Sequence, residues 1–450
     1  MMPSQQEAIC AQITAPGYSA VSLIRVSGRD SIEIVAKFFR PRGKLLKLTS
    51  QGLILGSFYD RGGFPLDQVL CAVFRAPASY TGEDCVEISC HGNPEIVARV
   101  LENLLLEARL ARPGEFTLRA LLNGKIDLVQ AEAVNDLIHA TGSLAGTAAL
   151  MQVRGLLSSH LGELLEQITA ARLRCELAID FADQDLPQID LDDLRQRISA
   201  ILEQTRLLQS EGRQGRIIRE GIRVLIAGPP NSGKSSLFNA FLRYNRAIVT
   251  PHPGTTRDYL EERIALRGYT LILTDTAGLR DTRDSIERQG IERSFELMRS
   301  ADLILHLSPA DQARQGAEDS LIPPEFHPKT LWLLSKSDLA SPDLAASGCL
   351  PVTVMREDGL DQLKAAILER FQLRQPDLRR PLVTNARHLA ALQRCEDALV
   401  KALDSLREEA GFEFTAFDLI AASKALEEIL GVISSDDLLE RIFSNFCIGK

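Results

Sequence analysis

The sequence has no run of about 18 apolar residues, so no membrane-spanning helix is expected. Its first residues, MMPSQQEAIC, have no basic stretch followed by an apolar one, which argues against a secretory signal. The eight cysteines (Cys10, Cys71, Cys85, Cys90, Cys175, Cys349, Cys395 and Cys447) form no C-x-x-C pair. Within CVEISCH, Cys85 and Cys90 precede His91, but their odd spacing puts the two sulfurs on opposite faces of a strand. That argues against shared metal ligation and for buried thiols kept reduced in a cytosolic, cytoplasmic chain. There are no internal repeats and no low-complexity tract. A net charge of −9 leaves no general excess of positive charge for indiscriminate nucleic-acid binding. Two local basic clusters remain: Lys37, Arg40, Arg42, Lys44 and Lys47, and Arg213, Arg216, Arg219 and Arg223. They read as a solvated loop and an interdomain linker.

What is present is long enough for several cores, since 450 residues exceed what one domain packs. Residues 1–120 mix short β-like runs (AVSLIRVSG, QVLCAVFRA, CVEISCHG) with the helical EIVARVLENLLLEARL, as expected of an N-terminal α+β domain. Residues 121–217 read as helical, broken by the acidic DFADQDLPQIDLDDL. Residues 218–374 alternate strands (IRVLIAG, LILTDTAG, ADLILHLS, TLWLLSKSD) with helical segments, the pattern of a mostly parallel sheet. Residues 375–450 turn helical again. The expected architecture is therefore an α/β domain inserted into a helical domain made from both flanks, behind an N-terminal α+β domain.

The inserted segment carries the chemistry. GPPNSGKSS, Gly228 to Ser236, matches G-x-x-x-x-G-K-[ST] between an apolar strand and a helical run. Its glycines, Gly228 and Gly233, let backbone amides of Asn231, Ser232, Gly233 and Ser236 wrap phosphates at a helix N-terminus. Lys234 supplies a charge to the outer phosphates and Ser235 a hydroxyl to Mg²⁺. TPHPGTT follows, with Thr250, Pro251, His252, Pro253 and Gly254 leading to Thr255 and Thr256, either of which can close over Mg²⁺ and the γ-phosphate. In DTAG, Asp275 suits the metal's second shell, Thr276 and Ala277 follow it, and Gly278 offers an amide to the γ-phosphate. SKSD stands where a guanine-reading N-K-x-D belongs; Ser335 and Lys336 precede Asp338, whose carboxylate accepts two hydrogen bonds from the guanine edge. The residue after DTAG is Leu279, where Ras-like enzymes carry a water-orienting Gln, so the water must be oriented otherwise.

The order of these motifs, the inserted G domain, the stretches SYTGED and RPGEFTLRALLNGKIDLVQAEAVNDLI, and the terminal FCIGK together resemble the MnmE/TrmE family of tRNA-modification GTPases across essentially the whole chain. The resemblance implies a Ras-like G domain and a homodimer formed through the N-terminal domain, with G domains that meet during hydrolysis. It implies K⁺ as the source of charge an arginine finger would supply, held by Asn231 and Thr255 side chains and by Thr250 and His252 carbonyls; Thr256 joins Ser235 on Mg²⁺. Glu287 matches the family's catalytic Glu and would orient water indirectly, beside Lys234 and Gly278. A 5-formyl-tetrahydrofolate-type one-carbon donor is implied in the N-terminal domain, on Arg25, Glu87, Lys125 and Lys450. The implied reaction, with an FAD- and NADH-dependent MnmG-type partner in a heterotetramer, places an aminomethyl or carboxymethylaminomethyl group on C5 of the wobble uridine of certain tRNAs.

Three departures stand out: two prolines in TPHPGTT, Ser335 for Asn, and TVM (Thr353 to Met355) for the usual S-A-R/K. Ser335 is expected to weaken the hold on base and P-loop, with guanine preference surviving through Asp338. Cys447 lies four residues from the end, as in a prenylation box, but Gly449 and Lys450 are the wrong residues for one. The family tail instead reaches toward the folate site, Gly449 giving it backbone freedom and Cys447 serving position above covalent chemistry. The competing readings are a ribosome-assembly GTPase, against which no G-x-x-G clamp in a KH-like setting is found, and a pure switch without folate chemistry.

Overall fold

The computed structural model describes residues 7–48, 52–180, 190–245, 261–275, 287–310, 322–339, 349–408, 410–432, 436–444 and 446–450. In chain order the first half holds β1 (Ile9–Gln12), β2 (Ser19–Ser27), α1 (Ser31–Phe38), β3 (Phe39–Arg40), α2 (Arg42–Leu46), β4 (Gly52–Tyr59), β5 (Pro65–Phe74), β6 (Cys85–Gly92), α3 (Pro94–Leu104), β7 (Arg109–Leu110), α4 (Glu115–Leu122), α5 (Leu128–His139), α6 (Ser143–Val153) and α7 (Leu156–Asp180). The second holds α8 (Leu191–Ser210), α9 (Gly212–Glu220), β8 (Ile222–Ala227), α10 (Lys234–Asn245), β9 (Glu261–Leu266), β10 (Tyr269–Asp275), α11 (Glu287–Ser300), β11 (Leu303–Pro309), β12 (Thr330–Ser335), β13 (Leu350–Val352), α12 (Asp361–Arg370), α13 (Ala386–Arg407), α14 (Phe412–Leu430) and α15 (Asp436–Phe443). Among the described residues no helix is long and apolar enough to cross a membrane.

The chain falls into two compact units. One comprises residues 1–135, 153–186 and 411–450; the other comprises 136–152 and 187–410, so the second is inserted in the first.

In the first unit, seven strands run in the order β3-β4-β5-β6-β2-β1-β7. Period-two alternation decides their faces. On β5, Val69, Cys71 and Val73 are buried while Leu70 between them is exposed. The buried face packs with Ile24, Val26, Ile88, Ile32, Val35, Val97 and Leu104 into one core beneath α1 and α3. α3 starts where its caps dictate: the Asn93 side chain accepts from the Glu95 amide, and Pro94 occupies a first-turn position that needs no donor. Cys85 and Cys90 are both buried on β6, and His91 turns instead to Asp67, 2.7 Å away. The opposite sheet face carries Val21, Leu53, Leu55 and Leu70 in the open, Leu55 facing Leu70 across the strands.

Among the described residues of the second unit, six strands run β13-β12-β11-β8-β10-β9, parallel except for the β9–β10 hairpin. β10 is buried at every position, as a parallel strand covered on both faces must be. Leu144, Ala145 and Ala148 of α6 join its core beside Ile218 of α9 and Phe241 of α10. The tip of the β9–β10 hairpin is held against the segment entering α6: the Leu144 amide donates to the Gly268 carbonyl at 3.3 Å, and the Thr141 and Thr270 hydroxyls lie 3.1 Å apart.

Candidate functional sites

The phosphate-binding loop leaves the carboxyl end of β8 and enters α10. Gly228 has φ +146, and a Cβ there would stand 2.6 Å from the Leu307 carbonyl of the neighbouring β11, so only glycine fits the turn. The Lys234 ammonium donates to the carbonyls of Gly228 and Pro229 at 3.0 and 2.8 Å, folded over the loop it serves. The Ser235 hydroxyl lies 3.4 Å from Oδ2 of Asp275, at the end of β10, and Asp275 is buried. Two hard oxygen donors at that distance fit an octahedral Mg²⁺ ion, one directly and one through its water. Asn231 takes the left-handed conformation, φ +59, at the exposed rim of the loop.

SKSD closes the other side. The Ser335 hydroxyl, buried at the end of β12, donates to the main-chain carbonyl of Ser232 at 2.6 Å. The expected loosening between this motif and the phosphate loop is thus offset: the shorter side chain still makes the tether. Asp338 is exposed, and its Oδ1 accepts the Thr353 hydroxyl proton at 2.9 Å. Thr353 came into view from the sequence only as a departure from a motif; its role as the hold on Asp338 needs β13 placed next to β12. His306 was not singled out at all. It sits on β11 opposite Ala227, its ring 4.8 Å from that of Trp332, and burial plus the Lys234 charge push its pKa down to about 4.

Of the remaining nucleotide residues, Thr250, Pro251, His252, Pro253, Gly254, Thr255, Thr256, Thr276, Ala277 and Gly278 lie outside the described residues, as does Leu279. Glu287 opens α11, but its side chain lies outside them too.

The first unit holds a second constellation. Arg25 on β2 and Glu87 on β6 are direct cross-strand partners. Arg25 Nε and Nη2 both donate to Oε1 of Glu87, at 2.9 and 2.7 Å. Tyr80 and Phe116 frame the guanidinium, their ring centroids 4.9 and 5.4 Å from its carbon. These two aromatics stand inside SYTGED and RPGEFTLRA, stretches noticed for resemblance and not for this contact. Lys125 donates from Nζ to the Pro77 carbonyl at 2.9 Å.

The chain's last residues complete it. The Gly114 amide donates to the Cys447 carbonyl at 3.3 Å and the Phe116 amide to the Lys450 main-chain oxygen at 3.1 Å. Gly449, φ +98, is buried so closely that a Cβ would stand 2.4 Å from the Gln12 carbonyl. Burial, and then the Arg25 charge, push the Lys450 ammonium below the usual lysine range, while Cys447 and Glu87 act in the opposite sense. Cys447 itself is exposed. Lys450, Arg25 and Glu87 thus share one electrostatic neighbourhood, a mixed-charge patch with aromatic walls. Such a patch suits a flat heteroaromatic ligand with both donors and an acidic arm.

Beneath it, Arg119 donates to Glu83 Oε2 at 3.0 Å and to the Glu7 carbonyl at 2.8 Å; Glu115 takes Arg109 through both oxygens. Burial works against the Glu115 charge, and the hydrogen bonds from Arg109 and the Arg112 amide overcome it, holding its carboxyl below the usual range.

Two family profiles match the chain almost end to end. The profile described as GTP-binding protein TrmE N-terminus matches residues 8–125, and that of the MnmE helical domain matches residues 128–447. The curated tRNA modification GTPase MnmE of Syntrophotalea carbinolica is 41% identical over 99% of this chain and 99% of its own. That of Moorella thermoacetica is 42% identical with the same coverage, and that of Aquifex aeolicus is 39% identical over 99% of this chain and all of its own.

Proposed function

From the premise that this chain belongs to the MnmE (TrmE) family of tRNA modification GTPases, we propose that it hydrolyses GTP to drive modification of C5 of the wobble uridine in certain tRNAs, with a one-carbon donor of the 5-formyl-tetrahydrofolate type. The group added is aminomethyl or carboxymethylaminomethyl, and an FAD-dependent MnmG-type partner supplies the redox chemistry.

On the G-domain side, Lys234 neutralises the outer phosphates, Ser235 and Thr256 hold Mg²⁺, and Gly278 donates to the γ-phosphate. Leu279 has no polar atom, and Glu287, at the position of the family's catalytic Glu, orients the attacking water indirectly. Asn231, Thr250, His252 and Thr255 would hold K⁺, which would supply positive charge when two G domains meet. The exposed placement of Asn231 at the loop rim favours that reading, because a second molecule has access to it.

In the first unit, Arg25, Glu87, Lys125 and Lys450 bind the folate: the carboxylate pairs with the pterin's donors and the cations with its carbonyl and glutamate tail. The observation that carries this half is the return of the tail to Arg25 and Glu87, which are more than 360 residues away in sequence. The open apolar face of Val21, Leu53, Leu55 and Leu70 supports a homodimer formed through this unit, since two such faces exclude water from each other. The protein acts in the cytoplasm, where its tRNA and nucleotide are.

Mass spectrometry of wobble uridines in tRNA from a strain lacking the gene tests the reaction: unchanged modification refutes it. GTP turnover in K⁺ against Na⁺ tests the cation; equal rates sink that part alone. Glu287→Ala should abolish turnover and spare nucleotide binding.

A further inference from the structure

We infer that this GTPase recognises its base through the carboxylate of Asp338 alone among the SKSD side chains, leaving N7 of the guanine ring unread. The inference rests on guanine-nucleotide binding and deepens it. Guanine shows two kinds of edge: N1–H and the 2-amino group are donors, whereas O6 and N7 are acceptors. A carboxylate only accepts, so Asp338 serves the donor edge and nothing else. Position 335 is where this motif departs from N-K-x-D, a hydroxyl standing in place of a side-chain amide, so the reading of N7 turns on what Ser335 can donate.

Ser335 has one proton, and its hydroxyl is buried between two carbonyls, that of Ser232 at 2.6 Å and that of Ser308 at 3.4 Å. The short bond to Ser232 uses the only proton available, on the side of the phosphate loop. Its lone pairs can only accept, so the side chain has no donor left for N7. Asp338 is placed the opposite way: exposed, with Oδ1 held by the Thr353 hydroxyl at 2.9 Å, and Thr353 Oγ1 accepting from the Met355 amide at 3.2 Å. A fixed acceptor toward the base and a spent donor behind it divide the motif into a reader and a tether. The division predicts a pattern: a nucleotide altered only at N7 is not noticed, and one lacking the 2-amino group is.

The experiment is competition against N-methylanthraniloyl-GDP on the full-length chain with Mg²⁺, using GTP, 7-deaza-GTP, ITP and ATP. In 7-deaza-GTP a C–H replaces N7; in ITP the 2-amino group is missing. Expected are affinities for GTP and 7-deaza-GTP equal within about twofold, and for ITP roughly tenfold weaker or more, the loss of one hydrogen bond to a charged group. Ser335→Asn supplies two N–H donors, one for Ser232 and one to spare, and should create a preference for GTP over 7-deaza-GTP of about fivefold. A wild-type preference for GTP over 7-deaza-GTP of tenfold or more overturns the inference, and so does a Ser335→Asn protein that treats the two alike. ATP competing as well as GTP refutes guanine binding itself, a separate failure.

Discussion

The main-chain amide of Phe116 donates to the main-chain oxygen of Lys450 at 3.1 Å, while the Phe116 ring faces the Arg25 guanidinium. One residue at the start of α4 therefore holds the tail with its backbone and the candidate folate-binding arginine with its side chain. The tail is a structural wall of that site, and small changes in it should be read out there.

Gly449→Ala is the smallest such change. The left-handed backbone costs a non-glycine residue roughly 1–2 kcal/mol, and the added carbon meets the Gln12 carbonyl at 2.4 Å, so the tail must lift. Calorimetric binding of 5-formyl-tetrahydrofolate should weaken tenfold or more and tRNA modification should fall with it. GTP hydrolysis by the same protein should stay within about twofold. Unchanged folate binding would remove the tail from the site.

Arg25→Lys separates charge from shape. The lysine keeps the positive charge but loses the planar fork that meets Glu87 with two nitrogens and packs between Tyr80 and Phe116. Folate binding should drop about tenfold despite the unchanged charge. Equal affinity would mean that Arg25 acts as a point charge only.

These sites were not equally legible in the sequence. The phosphate loop spans nine residues from Gly228 to Ser236, and a local motif encodes a local structure, so spacing was enough. The parallel sheet announced itself through strands with apolar centres, VLIA in β8 and LIL in β10. Ser335 looked like a loss because its partner, Ser232, belongs to a different loop, and a hydroxyl's reach cannot be judged without the distance. Tyr80, Phe116 and Lys450 meet Arg25 from three separate segments, and no periodicity records a meeting of that kind. Only the resemblance to a family pointed at the tail, and it said nothing of the aromatic frame.

Thr353→Val tests the hold on Asp338. Valine keeps the shape and removes the hydroxyl that donates to Oδ1 at 2.9 Å. The freed carboxylate costs GTP about 1 kcal/mol of binding, a three- to tenfold loss. Because the loss falls on the donor edge of the base, GTP and ITP should move toward each other while ATP binding does not change. A uniform loss for all three nucleotides would mark a merely structural role.

His306 predicts an acid sensitivity of the second unit with a definite sign. Its folded pKa is about 4 against an ordinary value of 6.5, because burial and the Lys234 charge disfavour the imidazolium; Ser308 Oγ lies 3.5 Å from Nδ1 and the Trp332 ring packs beside it. Between those two values the unfolded chain binds the proton and the folded one does not, so stability rises with pH across that window and falls as acid is added. From pH 7.5 to pH 5 the loss attributable to this one group is about 2 kcal/mol. Trp332 is the sole tryptophan, so its fluorescence follows this unit alone during urea unfolding. The unfolding midpoint of wild type should drop over that range more than that of His306→Gln, in which the titrating group is gone. Parallel pH profiles for the two proteins would show that the imidazole is protonated in the fold as readily as in the unfolded chain, and that Lys234 and burial do not hold it neutral beneath the phosphate loop.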